Sequence, residues 1–208
     1  MKQRAILAVG LLAAALAQAN TAVLVDFETP TSFASIAEHY NGGTDSAAVA
    51  GANLGVSFTL DALALQNDAL GPYFSNAPSP MGVMAPVGAD ATMNVAAGFT
   101  GAVGFWYSAS SFVVQGVNVY SGLNGTGTLL ASFNLVTNAQ ADGCSSAPYC
   151  RFDQVTSTFA GTARSITFGN SANAAAFDNI SITAVPEPTT VLMMSLGLAG
   201  LMLARRRG

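Results

Sequence analysis

The stretch Thr92–Tyr120, TMNVAAGFTGAVGFWYSASSFVVQGVNVY, decides the fold class. It holds three strand-type runs, Thr92–Phe99, Ala102–Ser108 and Ser111–Tyr120, punctuated by Gly98, Gly101 and the Ala109-Ser110 pair. Its side chains follow a period of two, which sends neighbours to opposite faces, and no run of helical period competes with it. Toward the N-terminus, Ala22–Phe27 places Val23, Val25 and Phe27 on one face, and Gly55–Leu60 does the same with Val56, Phe58 and Leu60. Toward the C-terminus, Val117–Tyr120 and Thr128–Leu135 flank the glycine-rich connection Ser121–Gly127, followed by Phe152–Phe159, Arg164–Phe168 and Phe177–Thr183. Short strands split by Gly and Asn turns over about 165 residues predict an all-β domain, a two-sheet antiparallel sandwich of jelly-roll type.

One interval breaks this rhythm. Asp61–Asp90 carries Pro72, Pro78, Pro80 and Pro86 without clear alternation. It reads as a long surface loop, with a helical turn near Ala62–Leu65 as an option. Tyr73 and Phe74 within it are a candidate aromatic rim for a ligand; the competing reading is an excursion that covers a sheet edge. Trp106 and Tyr107 point to opposite faces of their strand, so Trp106 is either a third rim residue or core, and its apolar neighbours favour core.

Composition limits the function classes. The chain of 208 residues is 51% apolar and 9% charged, with a mean hydropathy of +0.44. Its charges are unevenly placed: between residues 20 and 185 two arginines face ten acids, a net of −8. A basic patch for nucleic-acid phosphates cannot be built from two arginines, so DNA and RNA partners are excluded.

The excess hydrophobicity sits at the ends. Met1–Ala19, MKQRAILAVGLLAAALAQA, has Lys2 and Arg4 before an apolar run and the small triplet Ala17-Gln18-Ala19, the pattern of a signal peptide cleaved after Ala19. The apolar run is too short for an ordinary membrane span of about 20 residues. Thr189–Ala204, TTVLMMSLGLAGLMLA, is closed by Arg205, Arg206 and Arg207. As a helix it is about 24 Å long, enough for a thinned bilayer, with the arginines kept in the cytoplasm. A buried domain helix is the competing reading, disfavoured because the run has no polar face. Before it stands Val185-Pro186-Glu187-Pro188, whose alternating prolines forbid a helix and present an extended segment.

Residues 185–208 resemble the PEP-CTERM sorting signal: Pro186-Glu187-Pro188, a short transmembrane helix and an arginine-rich tip at Arg205, Arg206 and Arg207. The resemblance implies a precursor anchored in the inner membrane of a Gram-negative, exopolysaccharide-producing bacterium. It also implies that exosortase, a membrane Cys protease, removes the tail, releasing residues 20–184 to the periplasm, cell surface or extracellular matrix. It specifies a route and leaves the domain's activity open.

Catalytic constellations are scarce. The single histidine, His39, lies in AEHYNGG without a signature and reads as a surface-loop residue. No serine occupies a G-x-S-x-G elbow, and Gly125-Thr126-Gly127 lacks the later glycine of a phosphate cradle. Lysine is missing from residue 20 onward, which removes Schiff-base chemistry. Two facing carboxylates, as in a polysaccharide hydrolase or lyase, are the remaining catalytic option, and the spacing of the acids does not favour it. Cys144 and Cys150 are an expected disulfide of an exported protein.

Asp178, in Phe177-Asp178-Asn179-Ile180, falls on the face of Ile180 and Ile182, where a carboxylate needs a partner. Val25-Asp26-Phe27-Glu28 ends the first strand with two acids. The combination resembles carbohydrate-binding-module jelly rolls, in which such segments hold a structural calcium. The resemblance implies Glu28 and Asp178 as ligands, with carbonyls of Asn41–Asp45 and Asp45 itself completing an oxygen shell. Without calcium, Asp178 caps a turn and Glu28 is solvated. The expected function is a secreted, non-enzymatic structural or adhesive protein of the envelope or matrix, with exopolysaccharide as the expected ligand. A polysaccharide hydrolase or lyase is the alternative, and a coat-forming precursor a third class.

Overall fold

Nine strands run through residues 21–185, the part of the chain that the computed structural model describes. They are β1 (Thr21–Val25), β2 (Ser57–Phe58), β3 (Ala62–Gln66), β4 (Gly82–Pro86), β5 (Thr92–Ala109), β6 (Val113–Tyr120), β7 (Leu129–Leu135), β8 (Asp153–Thr167) and β9 (Ala175–Ala184). Two single 3₁₀ turns, Ala141–Gly143 and Gly169–Ser171, are the helical elements among the described residues. The expected signal helix and membrane helix lie outside the described residues. Among the described residues no helix is long and apolar enough to cross a membrane.

The all-β expectation holds, with a correction to its layering. Hydrogen bonds join the strands into one antiparallel sheet, β3-β4-β9-β5-β8-β6-β7, with β1 on β9 and β2 on β5. The two sheets expected from the sequence are therefore layers of one sheet that share β5 and β8. Thr92–Asn94 of β5 pairs with Ser165–Thr167 of β8 and with β2, whereas Phe99–Tyr107 pairs with Asp153–Ala163 and is flanked by β9. The register shifts between Asn94 and Phe99 and again between Thr100 and Gly101. Gly98 and Gly101, read above as breaks between strands, are the hinges of this bend. Their φ values of +89° and +83° are open to glycine at little cost, so one strand continues where two were expected.

The layers close on an aromatic core. Val103, Phe105, Tyr107 and Ala109 alternate inward from β5 and are buried. Phe105 meets Phe177 of β9 at 5.7 Å between ring centroids and Phe133 of β7, a strand it does not pair with, at 5.0 Å. Contact between unpaired strands is what makes a single sheet a sandwich. Burying a ring such as Phe105 stabilises by about 2–3 kcal/mol.

The interval 61–90 is also corrected. It contains β3 and β4, paired from Ala62 with Pro86 to Gln66 with Gly82, in place of a helical turn and loop. A smaller cluster, Leu65, Phe74, Val83, Phe152 and Ala176, packs beside them, with Trp106 and Tyr149 against it. Because β3 and β4 are covered on both faces, their sequences carry no alternation to read. The residues Asn20–Val185 form one compact unit that holds both clusters.

Candidate functional site

Three segments distant in sequence meet where β1 ends: Asp26–Phe33, Gln66–Gly82 and Asp178 of β9. Asp178 has no exposed surface and is held entirely by hydrogen bonds. Its Oδ2 accepts from the Ser79 backbone N–H at 2.9 Å, and its Oδ1 accepts from the Ser79 hydroxyl at 2.6 Å and the Asn179 N–H at 2.7 Å. Burial pushes its pKa up to about 6 against the lowering effect of these bonds, and the charge of Glu28 adds to the rise. Ser79 Oγ also lies 2.9 Å from the Asp26 carbonyl. When Asp178 is protonated it can donate to Ser79 Oγ while that hydroxyl donates to Asp26, so the neutral acid is accommodated.

Glu28 fastens the same junction: its Oε1 accepts from Met81 N at 2.8 Å and Gly82 N at 3.0 Å. The structure thus brings Glu28 and Asp178 to one place and leaves Asp45 in another. Asp45 Oδ2 accepts from Thr31 N, and its Oδ1 from Ala47 N and Val49 N. Burial alone would raise the Asp45 pKa, but the N–H groups of Thr31, Val49 and Ala47 outweigh it and hold the carboxyl below its usual range.

Two of the three expected calcium ligands, Glu28 and Asp178, thus share a junction, and Asp45 is not placed to join them. A calcium ion takes six to eight oxygens, whereas the oxygens of Asp45 and Asp178 and one of Glu28 already face N–H or O–H donors. Among the described residues no three His, Cys, Asp or Glu side chains are grouped as metal ligands.

Beside this junction the exposed Phe33 packs on Tyr73, which is half-buried against the smaller cluster. Phe33, 54% exposed, meets Tyr73 edge-on at 5.3 Å with ring planes at 89°. Phe33 holds a φ of +61°, a costly conformation for a bulky residue, while its N–H bonds Ala64 of β3. Tyr73 is positioned by Asn67, whose Oδ1 accepts from Tyr73 N, and its hydroxyl donates to Asp68 Oδ1 at 3.2 Å. Loss of water, the Asp68 charge and this bond together raise the Tyr73 pKa. Leu70, at the tip of the same turn, is 87% exposed.

The expected rim of Tyr73, Phe74 and Trp106 is therefore only partly formed. Phe74 is buried in the smaller cluster because adjacent residues diverge, and Trp106, like Tyr73, is half-buried against that cluster but is not paired with Phe33. Phe33 stands against Tyr73 in their place, and no pattern in Thr31–Ser35 announces it. His39 also differs from expectation: it is fully buried, with Nε2 2.8 Å from Thr29 Oγ1 and Nδ1 3.1 Å from the Val49 carbonyl. A carbonyl can only accept, so Nδ1 carries the proton and the ring serves to tie loops together. Cys144 and Cys150 form the expected disulfide.

Two solved structures are similar to this chain at low identity. The K2 cleaved adhesin domain of Lys-gingipain gives a TM-score of 0.45 at 12% identity, covering 78% of this chain and 99% of that one. CsCBM6-3 from Clostridium stercorarium, solved in complex with cellobiose, gives 0.35 at 16% identity, covering 58% and 92%. No curated protein matches the chain. At the C-terminus the match is to a specific motif, and residues 184–207 are a PEP-CTERM protein-sorting motif.

Proposed function

We propose that this is an exported, non-enzymatic protein whose β domain adheres to neutral polysaccharide through the Phe33–Tyr73 rim. Residues 1–19 are the signal peptide, residues 20–184 the exported domain and residues 185–208 the sorting tail that exosortase removes. The inner membrane holds the precursor, and the product goes to the cell surface or extracellular matrix of a Gram-negative bacterium. The sorting motif supports the route. The observation that carries the binding reading is the edge-on Phe33–Tyr73 pair. It offers an apolar ring face to the C–H side of a sugar, with Asp68 beside it for hydroxyl groups.

The net charge of −8 between residues 20 and 185 disfavours glycans that carry carboxylates. The enzyme reading is disfavoured at four of the acids it could draw on: Glu28, Asp45, Asp61 and Asp178 are each engaged by backbone N–H groups. A glycan array with residues 20–185 tests the proposal. Hits on neutral polysaccharides that vanish in Phe33→Ala are expected; silence, or hits unchanged by the substitution, would overturn it.

A further inference from the structure

The sheet has several edges, and most are guarded. The outer side of β3 is taken by residues 33–36, through Phe33 N to Ala64 O, Ala64 N to Ala34 O and Ile36 N to Ala62 O. Next to β2, Phe58 N bonds Ala37 O and Val56 N bonds Tyr40 O. β1 has five residues and runs directly into Asp26 and Glu28. The first half of β8 has an unpaired side, bounded by Asp153 at one end and Arg164 at the other.

β7 differs from all of these. Among the described residues it pairs only with β6, and its seven residues, LLASFNL, contain no charge and no proline. Its register irregularity is confined to the extra residue Leu130 at its start, the other shift lying in β6 between Val113 and Val117. Soluble proteins usually blunt such an edge with Lys, Pro or a bulge, because its free N–H and C=O groups template another strand. No charged residue occurs from Ala91 to Ala141, a span that covers β5, β6 and β7 entirely. Along the same β6–β7 edge, Phe112, Val114, Leu129 and Val136 are 58%, 62%, 45% and 59% exposed.

We propose that β7 is the surface through which the domain pairs with a second copy of itself, β7 against β7. Charge selects this occupant. Two copies at −8 repel one another wherever their acids approach, and the acids all lie outside residues 91–141. The β6–β7 edge lets like-charged copies meet at neutral, apolar surface, as the centre of an interface requires. Antiparallel pairing of one strand with its copy about a twofold axis uses the same patch on both partners, so assembly closes at the dimer.

Light scattering with size exclusion on residues 20–185, a compact unit with its own core, tests this. A dimer is expected at roughly 10–100 µM, a range typical of small interfaces. Raising ionic strength from about 0.02 to 0.2 M is expected to strengthen it by screening the acids. Phe112→Glu with Val136→Glu, both at exposed positions, should give a monomer with an unchanged Tm, whereas Leu60→Glu, exposed elsewhere, should leave the dimer intact. A monomer at all concentrations and salts would overturn the proposal. So would a dimer that survives the paired substitution, or one that Leu60→Glu abolishes equally.

Discussion

Ser79 and Asp178, 99 residues apart in sequence, are joined by two hydrogen bonds, one from the Ser79 backbone N–H and one from its hydroxyl. This contact fastens the segment before β4 to the last strand, and the Ser79 hydroxyl extends it to the Asp26 carbonyl at the end of the first. A carboxyl with a folded pKa of about 6, above its ordinary 3.8, stabilises the fold when protonated. That contribution is fully present below pH 3.8 and is lost as pH rises through 6, by up to about 3 kcal/mol. Asp178→Asn should abolish the slope. It should also cost about 1–3 kcal/mol at acid pH, because an amide NH₂ cannot accept from the N–H groups of both Ser79 and Asn179. Urea melts of both proteins from pH 4 to pH 8 check this; the stability gap between wild type and variant must narrow toward pH 8.

How much of this was legible follows from the kind of signal each feature leaves. Ile180 and Ile182 set a period of two that takes in position 178, so a carboxylate there stood out as Asp178, and its need for a partner was readable although Ser79 was not. Gly98 and Gly101 were visible as special positions, but a bend within a strand and a break between strands use the same residue. β3 and β4 are buried on both faces, which erases the alternation that would have marked them. Phe33 left no signal because its contact with Tyr73 joins two irregular segments 40 residues apart. Local pattern reports local structure, and the site is built from tertiary contacts.

Calcium should not affect the melt of residues 20–185. The oxygens that a shell would need at Asp178 and Asp45 already accept protein hydrogens, so binding an ion would first break those bonds. Thermal melts in chelator and in excess calcium are expected to coincide. A rise in Tm with calcium, proportional to the logarithm of its concentration, would show a site that binds the native state.

The disulfide should matter to the rim as well as to stability. The Cys144–Cys150 loop supports the segment below Tyr73: Ser75 N bonds the Tyr149 carbonyl, Tyr149 N bonds the Tyr73 carbonyl, and Asn76 Nδ2 bonds the Cys150 carbonyl. Closing a loop of seven residues stabilises by about 2.4 kcal/mol through the unfolded chain. Cys144→Ser with Cys150→Ser should therefore lower the urea midpoint and weaken glycan binding together. Loss of stability with unchanged binding would show that the loop does not hold Tyr73 in place.

Phe33 separates binding from folding most cleanly. A bulky residue at a φ of +61° costs about 1–3 kcal/mol, and more than half of this side chain faces solvent, so its burial returns little. Glycine adopts the same φ without strain but gains freedom in the unfolded chain, which offsets part of the relief. Phe33→Gly should consequently leave the Tm unchanged or slightly higher while removing the ring that meets Tyr73. A binding surface kept at the expense of stability behaves in this way. Melting curves and glycan binding measured on the same variant decide between the two roles. If stability falls by the 3–5 kcal/mol typical of a lost core phenylalanine, Phe33 is a packing residue and the rim loses its central member.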